Sequence, residues 1–164
     1  MGLDINTEKG KKTVKEEIKM LKYISKCWGV KIKTTKKDKP VSHDGAIFNE
    51  NDEIIAIFES KNRQETLEQF EEWGSWLITY EKLEKCRKLA AKNKVPFYGF
   101  LGIEKSGLVI YWKITDEKGN YLFEFPHYHS LTQATVNGGE AYRDNAYLPI
   151  VLGKFVQPNQ KIEL

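Results

Sequence analysis

The chain has 164 residues, 40% of them hydrophobic and 30% charged, a balance that suits a single folded domain and excludes disordered, collagen-like and membrane-spanning classes. No apolar run approaches the ~18 residues that a transmembrane helix needs, and the first thirty residues interleave lysine with glutamate, so the expected location is the cytoplasm. The net charge of +3 conceals an asymmetry: residues 1–42 hold 12 Lys against five acidic residues, and the remainder is net acidic.

Residues 1–12 are polar and read as a flexible leader. Thr13 with Glu16 has the form of a capping box, and an amphipathic helix is expected over 13–28, with Val14, Ile18, Leu21, Ile24 and Trp28 sharing one face. Glu17 falls inside that apolar arc, where it either serves a site or lies at the periphery with its carboxylate in water. Gly29 ends the helix. Val30 and Ile32 then alternate with Lys31 and Lys33 as a half-buried strand leading into a basic loop. The cluster Lys31, Lys33, Lys36, Lys37 and Lys39 can neutralise phosphates without reading sequence, which points to a nucleic acid; a solvated lysine-rich surface has the same composition.

Residues 44–48 and 54–59 are apolar runs that form a hairpin about Asn51-Asp52. Helical periodicity covers 65–93, with a kink or split at Gly74-Ser75, and Pro96 stops it. Strands follow at 97–103 and 108–114, a short one at 121–125, and the best remaining strand or buried segment at 146–155. Cys27 and Cys86 fall at apolar helical positions and are expected to be buried, reduced thiols. The order of elements describes an α/β or α+β domain with a mixed sheet flanked by helices.

The central hairpin carries the chemistry. With Asn51 and Asp52 as its turn, paired residue numbers sum to 103, so Asp44 faces Glu59. Opposed Cβ atoms lie roughly 5 Å apart, close enough for both carboxylates to reach one cation. Two carboxylates, completed by waters and phosphate oxygens, are a common way to hold Mg²⁺. Lys61, two residues beyond Glu59, shares its face. In the other reading both acids mark solvent-exposed strand ends, and the register is off by one.

The stretch 43–61, HDGAIFNENDEIIAIFESK, resembles the PD-(D/E)XK nuclease superfamily, in which an Asp on one strand and an acidic-x-Lys tripeptide on the next form the metal site. Asp44 matches the first acid, Glu59 the second and Lys61 the lysine; His43 stands where the motif name has Pro. The compact Holliday-junction resolvases and related phage endonucleases are most similar, over residues 13–114, with 115–164 as a C-terminal elaboration of one domain spanning 1–164.

That resemblance implies a restriction-endonuclease-like core and an endodeoxyribonuclease acting on duplex or branched DNA. It implies Mg²⁺, replaceable by Mn²⁺, held by Asp44, Glu59 and the backbone carbonyl of Ser60. Lys61 would orient the attacking water or stabilise developing charge, and Glu17 would complete the site from the first helix. Lys31, Lys33, Lys36, Lys37 and Lys39 would hold the DNA backbone, and a homodimer would pair two sites. A non-catalytic DNA-binding or assembly protein on the same fold and an RNA nuclease are the alternatives. Gln69 and Trp73 loosely match the Gln-x-x-x-Tyr motif of the exonuclease branch, with Trp in place of Tyr, and helix packing is their expected role. Trp73, Trp76 and Trp112 are expected in the core or at a dimer interface. His127 and His129 lack a Cys or acidic partner at a recognised metal spacing.

Overall fold

The first element of the computed structural model, which describes residues 8–34, 43–132 and 141–162, is the helix α1 (Glu8–Trp28). It begins five residues before the expected cap at Thr13. Once the packed turns have nucleated the helix, extending it through the polar residues 8–12 costs little. The buried face consists of Glu17, Met20, Leu21, Ile24, Cys27 and Trp28, while Ile18 is 42% exposed. The helix is thus rotated from the expected stripe: Ile18 and Val14 face outward beside Lys15, Lys19 and Lys22. Gly29 ends α1 as expected, in the left-handed region at φ 63°.

Next come β1 (Lys31–Thr34), β2 (His43–Phe48) and β3 (Ile54–Arg63), followed by α2 (Leu67–Trp73), β4 (Ser75–Thr79) and α3 (Tyr80–Lys92). The chain continues through β5 (Phe97–Ile103), β6 (Leu108–Thr115), β7 (His127–Thr132) and β8 (Ala141–Pro149) to a 3₁₀ turn (Ile150–Leu152) and β9 (Lys154–Phe155). Among the described residues a six-stranded mixed sheet runs in the order β1-β2-β3-β5-β6-β9, and β4-β8-β7 form a second sheet of three strands. The expected class of a mixed sheet flanked by helices is therefore the observed one. Among the described residues, no helix is long and apolar enough to cross a membrane.

β3 and β5 are the centre of the large sheet and its only parallel pair among the described residues. Buried on both faces, they read as near-continuous apolar runs, and every residue of β5 is buried. Ala56 and Phe58 pack toward α1 with Tyr98, Phe100 and Trp28. Ile57, Phe97, Leu101 and Ile103 pack toward α3 and the second sheet. Cys27 lies in the first layer and Cys86 in the second; both are free and buried, as expected.

The periodicity over 65–93 does not form one helix. Thr66 and Gln69 make a reciprocal capping box at the start of α2, which is the role Gln69 takes. Gly74 then adopts φ 78° as the left-handed C-cap, a conformation open to glycine at little cost. β4 follows directly: Trp76 and Ile78 are buried against Leu148 and Ala146 of β8, and Leu77 is 38% exposed. Trp76 lies 5.3 Å from Trp112, and both are core residues, whereas Trp73 is 59% exposed. Residues 121–125 form no strand beyond a single bridge between Thr115 and Tyr121, and β7 takes up the segment after them. β7 and β8 complete the second sheet and β9 joins the large one, so residues after 114 belong to both layers.

Beside α3, Glu84 receives two hydrogen bonds from Arg87, at 2.8 and 2.7 Å, and one from the Tyr121 hydroxyl. Arg87 also reaches the Gly119 carbonyl at 3.1 Å, tying the 116–121 turn to the helix. The Arg87 bonds, with help from Tyr121 and against the opposing effect of burial, hold the Glu84 carboxyl down to about 2 from an ordinary value of 4.5. A carboxyl whose pKa is lowered by folding stabilises the fold above its unfolded value and loses that contribution as pH falls through the folded one. Glu84→Gln should therefore destabilise the protein near neutrality, with the gap from wild type closing between about pH 4.5 and 2. Urea titrations across that range check this, and a gap independent of pH would refute it.

Candidate functional site

The β2–β3 hairpin has the expected pairing of Asp44 with Glu59, reached by an unexpected route. The loop is not a two-residue turn. Asn49 N–H donates to the Glu53 carbonyl at 3.0 Å, and the Asn49 side-chain oxygen accepts from the backbone N–H groups of Asn51 and Glu53. Phe48 then pairs with Ile54, a sum of 102 that would set Asp44 opposite Phe58. A bulge passes over Ile55, so that Ile47 pairs with Ala56 and the sum returns to 103. Because side chains alternate with period two, that one extra residue decides whether the two carboxylates share a face.

They do share it, on the side of the sheet covered by α3. Glu59 is 1% exposed, and among the described residues Asp44, Glu59 and Cys86 bring one ligand atom each within 4.8 Å of one another. The ammonium of Lys82 donates to Asp44 Oδ2 at 2.6 Å and lies 3.7 Å from Glu59 Oε2. Lys82 and Cys86 are one helical turn apart on α3, so a single helix edge delivers both. Burial alone would pull the Lys82 pKa down, but the Asp44 hydrogen bond and the field of Glu59 outweigh it and hold it above the ordinary value. Burial, reinforced by Glu59, pushes the Cys86 thiol up to about 12, so it remains a protonated neighbour.

Lys61 and Arg63 follow Glu59 at alternate positions of β3, paired with Leu101 and Ile103, which belong to the core layer on the α3 side. Burial lowers the Arg63 pKa, and the charges of Glu65 and Glu59 oppose that shift. Lys33 and Lys31 pair with Ala46 and Phe48, two and four residues along β2 from Asp44, and so project from the same face as Asp44. Both are exposed: Lys33 lies 4.6 Å over the Phe48 ring, and Lys31 is bonded to Asp52 at 3.0 Å. Lys36, Lys37 and Lys39 lie outside the described residues.

Glu17 is buried, as its place on the helical wheel implied, at 4% exposure. Its neighbours on α1, Met20, Leu21 and Ile24, pack in the layer on the α1 side of the sheet, and Glu17 is outside the group formed by Asp44, Glu59 and Cys86. Ser60 lies in β3 between His43 of β2 and Phe100 of β5, with its carbonyl directed within the plane of the sheet. Lys82 and Arg63 were not singled out from sequence, and Cys86 was expected only as a buried thiol, not beside the two carboxylates. Burial of Cys86 places Lys82, four residues earlier, at the edge of an inward helix face, and that was the legible signal. His127 stacks on Tyr80 at 4.0 Å and lies 3.2 Å from Asp144 on the neighbouring strand.

A hard divalent cation fits this donor set. The two carboxylates, one from Asp44 and one from Glu59, are the oxygen donors that an ion such as Mg²⁺ or Mn²⁺ takes, and their ligand atoms lie within 4.8 Å of each other. No protein-family model, curated protein or solved structure matches this chain.

Proposed function

We propose that this protein is a metal-dependent endodeoxyribonuclease of the PD-(D/E)XK type. One observation carries the reading: Asp44 and Glu59 stand opposite each other on adjacent strands, with Lys61 two residues on along the same face. Asp44 and Glu59, with the Ser60 carbonyl as a further oxygen, would hold the ion. When bound, Mg²⁺ or Mn²⁺ polarises the phosphate and lowers the pKa of a coordinated water. Lys61 acts on the reacting phosphate, orienting the water and stabilising negative charge as it develops. Arg63, half-buried farther along that face, adds a second positive charge to that side of the sheet.

Lys31 and Lys33 bind the DNA backbone beside the site. Backbone binding of this kind releases counterions and falls steeply with salt, with a log-log slope of about −0.9 per phosphate contact on duplex DNA. Replacing Lys31 and Lys33 together with Ala should weaken binding and make the slope shallower by nearly two contacts. An unchanged slope would move the DNA surface elsewhere. A two-fold dimer would supply two symmetric sites for cutting two strands.

Incubation of the purified chain with supercoiled, linear, single-stranded and four-way-junction DNA, with and without Mg²⁺, tests the function. Mg²⁺-dependent nicking or cleavage is the expected result. Binding without cleavage of any nucleic acid would favour a non-catalytic DNA-binding protein, for which the Lys82 ion pairs provide charge balance without a metal. Cleavage confined to RNA would reassign the substrate.

A further inference from the structure

We propose that Lys82 is an internal counter-cation whose ammonium and a divalent ion exclude one another at Asp44 and Glu59. The inference rests on the reading of these two carboxylates as cation ligands. Two carboxylates opposed across a ladder repel each other, more strongly where one is buried, so a positive charge is needed between them in either state. In this structure Lys82 supplies it, at 2.6 Å from Asp44 and 3.7 Å from Glu59. An Mg²⁺ ion binds carboxylate oxygens at about 2.0–2.1 Å and would sit within a few ångströms of that ammonium, which like charges resist.

The side chains differ in their freedom to move. Glu59 is 1% exposed at the middle of the sheet, whereas the Lys82 side chain is 27% exposed on a flexible four-carbon stem at the rim. The carboxylates stay and the ammonium leaves. Metal affinity is therefore set partly by the work of displacing Lys82, and the displaced ammonium is left beside the site, where a phosphate is its natural new partner.

Calorimetric titration of the intact chain with Mn²⁺, and with Ca²⁺ as an ion that need not support turnover, tests this without an activity readout. Lys82→Met keeps the stem and removes the charge, and it should bind either ion about tenfold tighter than wild type or more. Lys82→Arg keeps the charge and should stay close to wild type, and Asp44→Asn should lose binding. If Lys82→Met is unfolded without metal, refolding on Ca²⁺ addition, followed by circular dichroism and corrected for the folding equilibrium linked to binding, gives the affinity. Failure to refold at concentrations that saturate wild type would overturn the inference. Unchanged or weaker binding by Lys82→Met, with binding still lost in Asp44→Asn, would overturn it too and leave the cation site standing. Absence of saturable binding by wild type and Lys82→Met alike would overturn the cation site itself, and the inference with it.

Discussion

Asp44→Asn and Glu59→Gln are each expected to reduce Mg²⁺-dependent DNA cleavage by more than about a hundredfold while leaving the chain folded. Both replacements keep the shape and hydrogen-bonding capacity of the side chain and remove the negative charge that attracts the ion. Folding should survive because neither adds volume, and because the neutral amide removes the need for a counter-charge at a position 1% exposed in the case of Glu59. Lys61→Ala should behave differently. Its charge acts on the reacting phosphate, so turnover should fall far more than DNA affinity. Nicking of supercoiled plasmid by wild type and variants at one Mg²⁺ concentration, with circular dichroism on each protein, separates loss of chemistry from loss of structure. Equal cleavage by wild type and Glu59→Gln would remove the metal-assisted mechanism. Relief of repulsion between the site and phosphate should also tighten metal-free DNA binding by the two carboxylate variants, and a filter-binding assay in chelator measures it.

Trp76→Ala should cost about 3–5 kcal/mol of stability, the range for removing a buried aromatic ring from a core that cannot collapse around the gap. Trp76 is 1% exposed and packs against Trp112. A Cβ at Gly99 would lie 3.0 Å from Ile114 and 3.1 Å from the Trp76 ring, so β5 has no side chain there to fill the gap. The ring thus joins β4 of the small sheet to β5 and β6 of the large one, and α3 begins immediately after β4. Loss of the ring should loosen α3 and with it the position of Lys82. Its neighbour Leu77, 38% exposed on the outer face, should cost less than about 1 kcal/mol when truncated to Ala. Denaturant midpoints for the two variants, compared with wild type, check the contrast. Similar losses at both positions would mean that the two sheets are not held together through Trp76.

The sequence by itself determined the features that depend on near neighbours. The hairpin is local: turn residues at 49–53 between two apolar runs bring the strands together, and the period of two then places Lys61 with Glu59. The Asp44–Glu59 register was legible although the turn was not, since the longer Asn49–Glu53 loop and the bulge at Ile55 each shift the pairing by one residue in opposite senses. The β5–β6 hairpin, the end of α1 at Gly29 and the burial of Glu17 were legible for the same reason: each depends on residues a few positions apart.

Tertiary structure decided the rest. Trp76, Leu77 and Ile78 fit a helical or an extended pattern equally well, and pairing with Leu148 and Ala146, some seventy residues away, selects the strand. The rotation that exposes Ile18 and buries Met20 was set by the sheet surface beneath α1, since the helix alone offers a broad apolar arc. The face on which Glu17 lies and the arrival of Lys82 at Asp44, 38 positions earlier, follow from which layer each helix covers. Contacts at such separations are favoured only after the loop-closure entropy between their elements has been offset by packing, a balance that local sequence pattern does not encode.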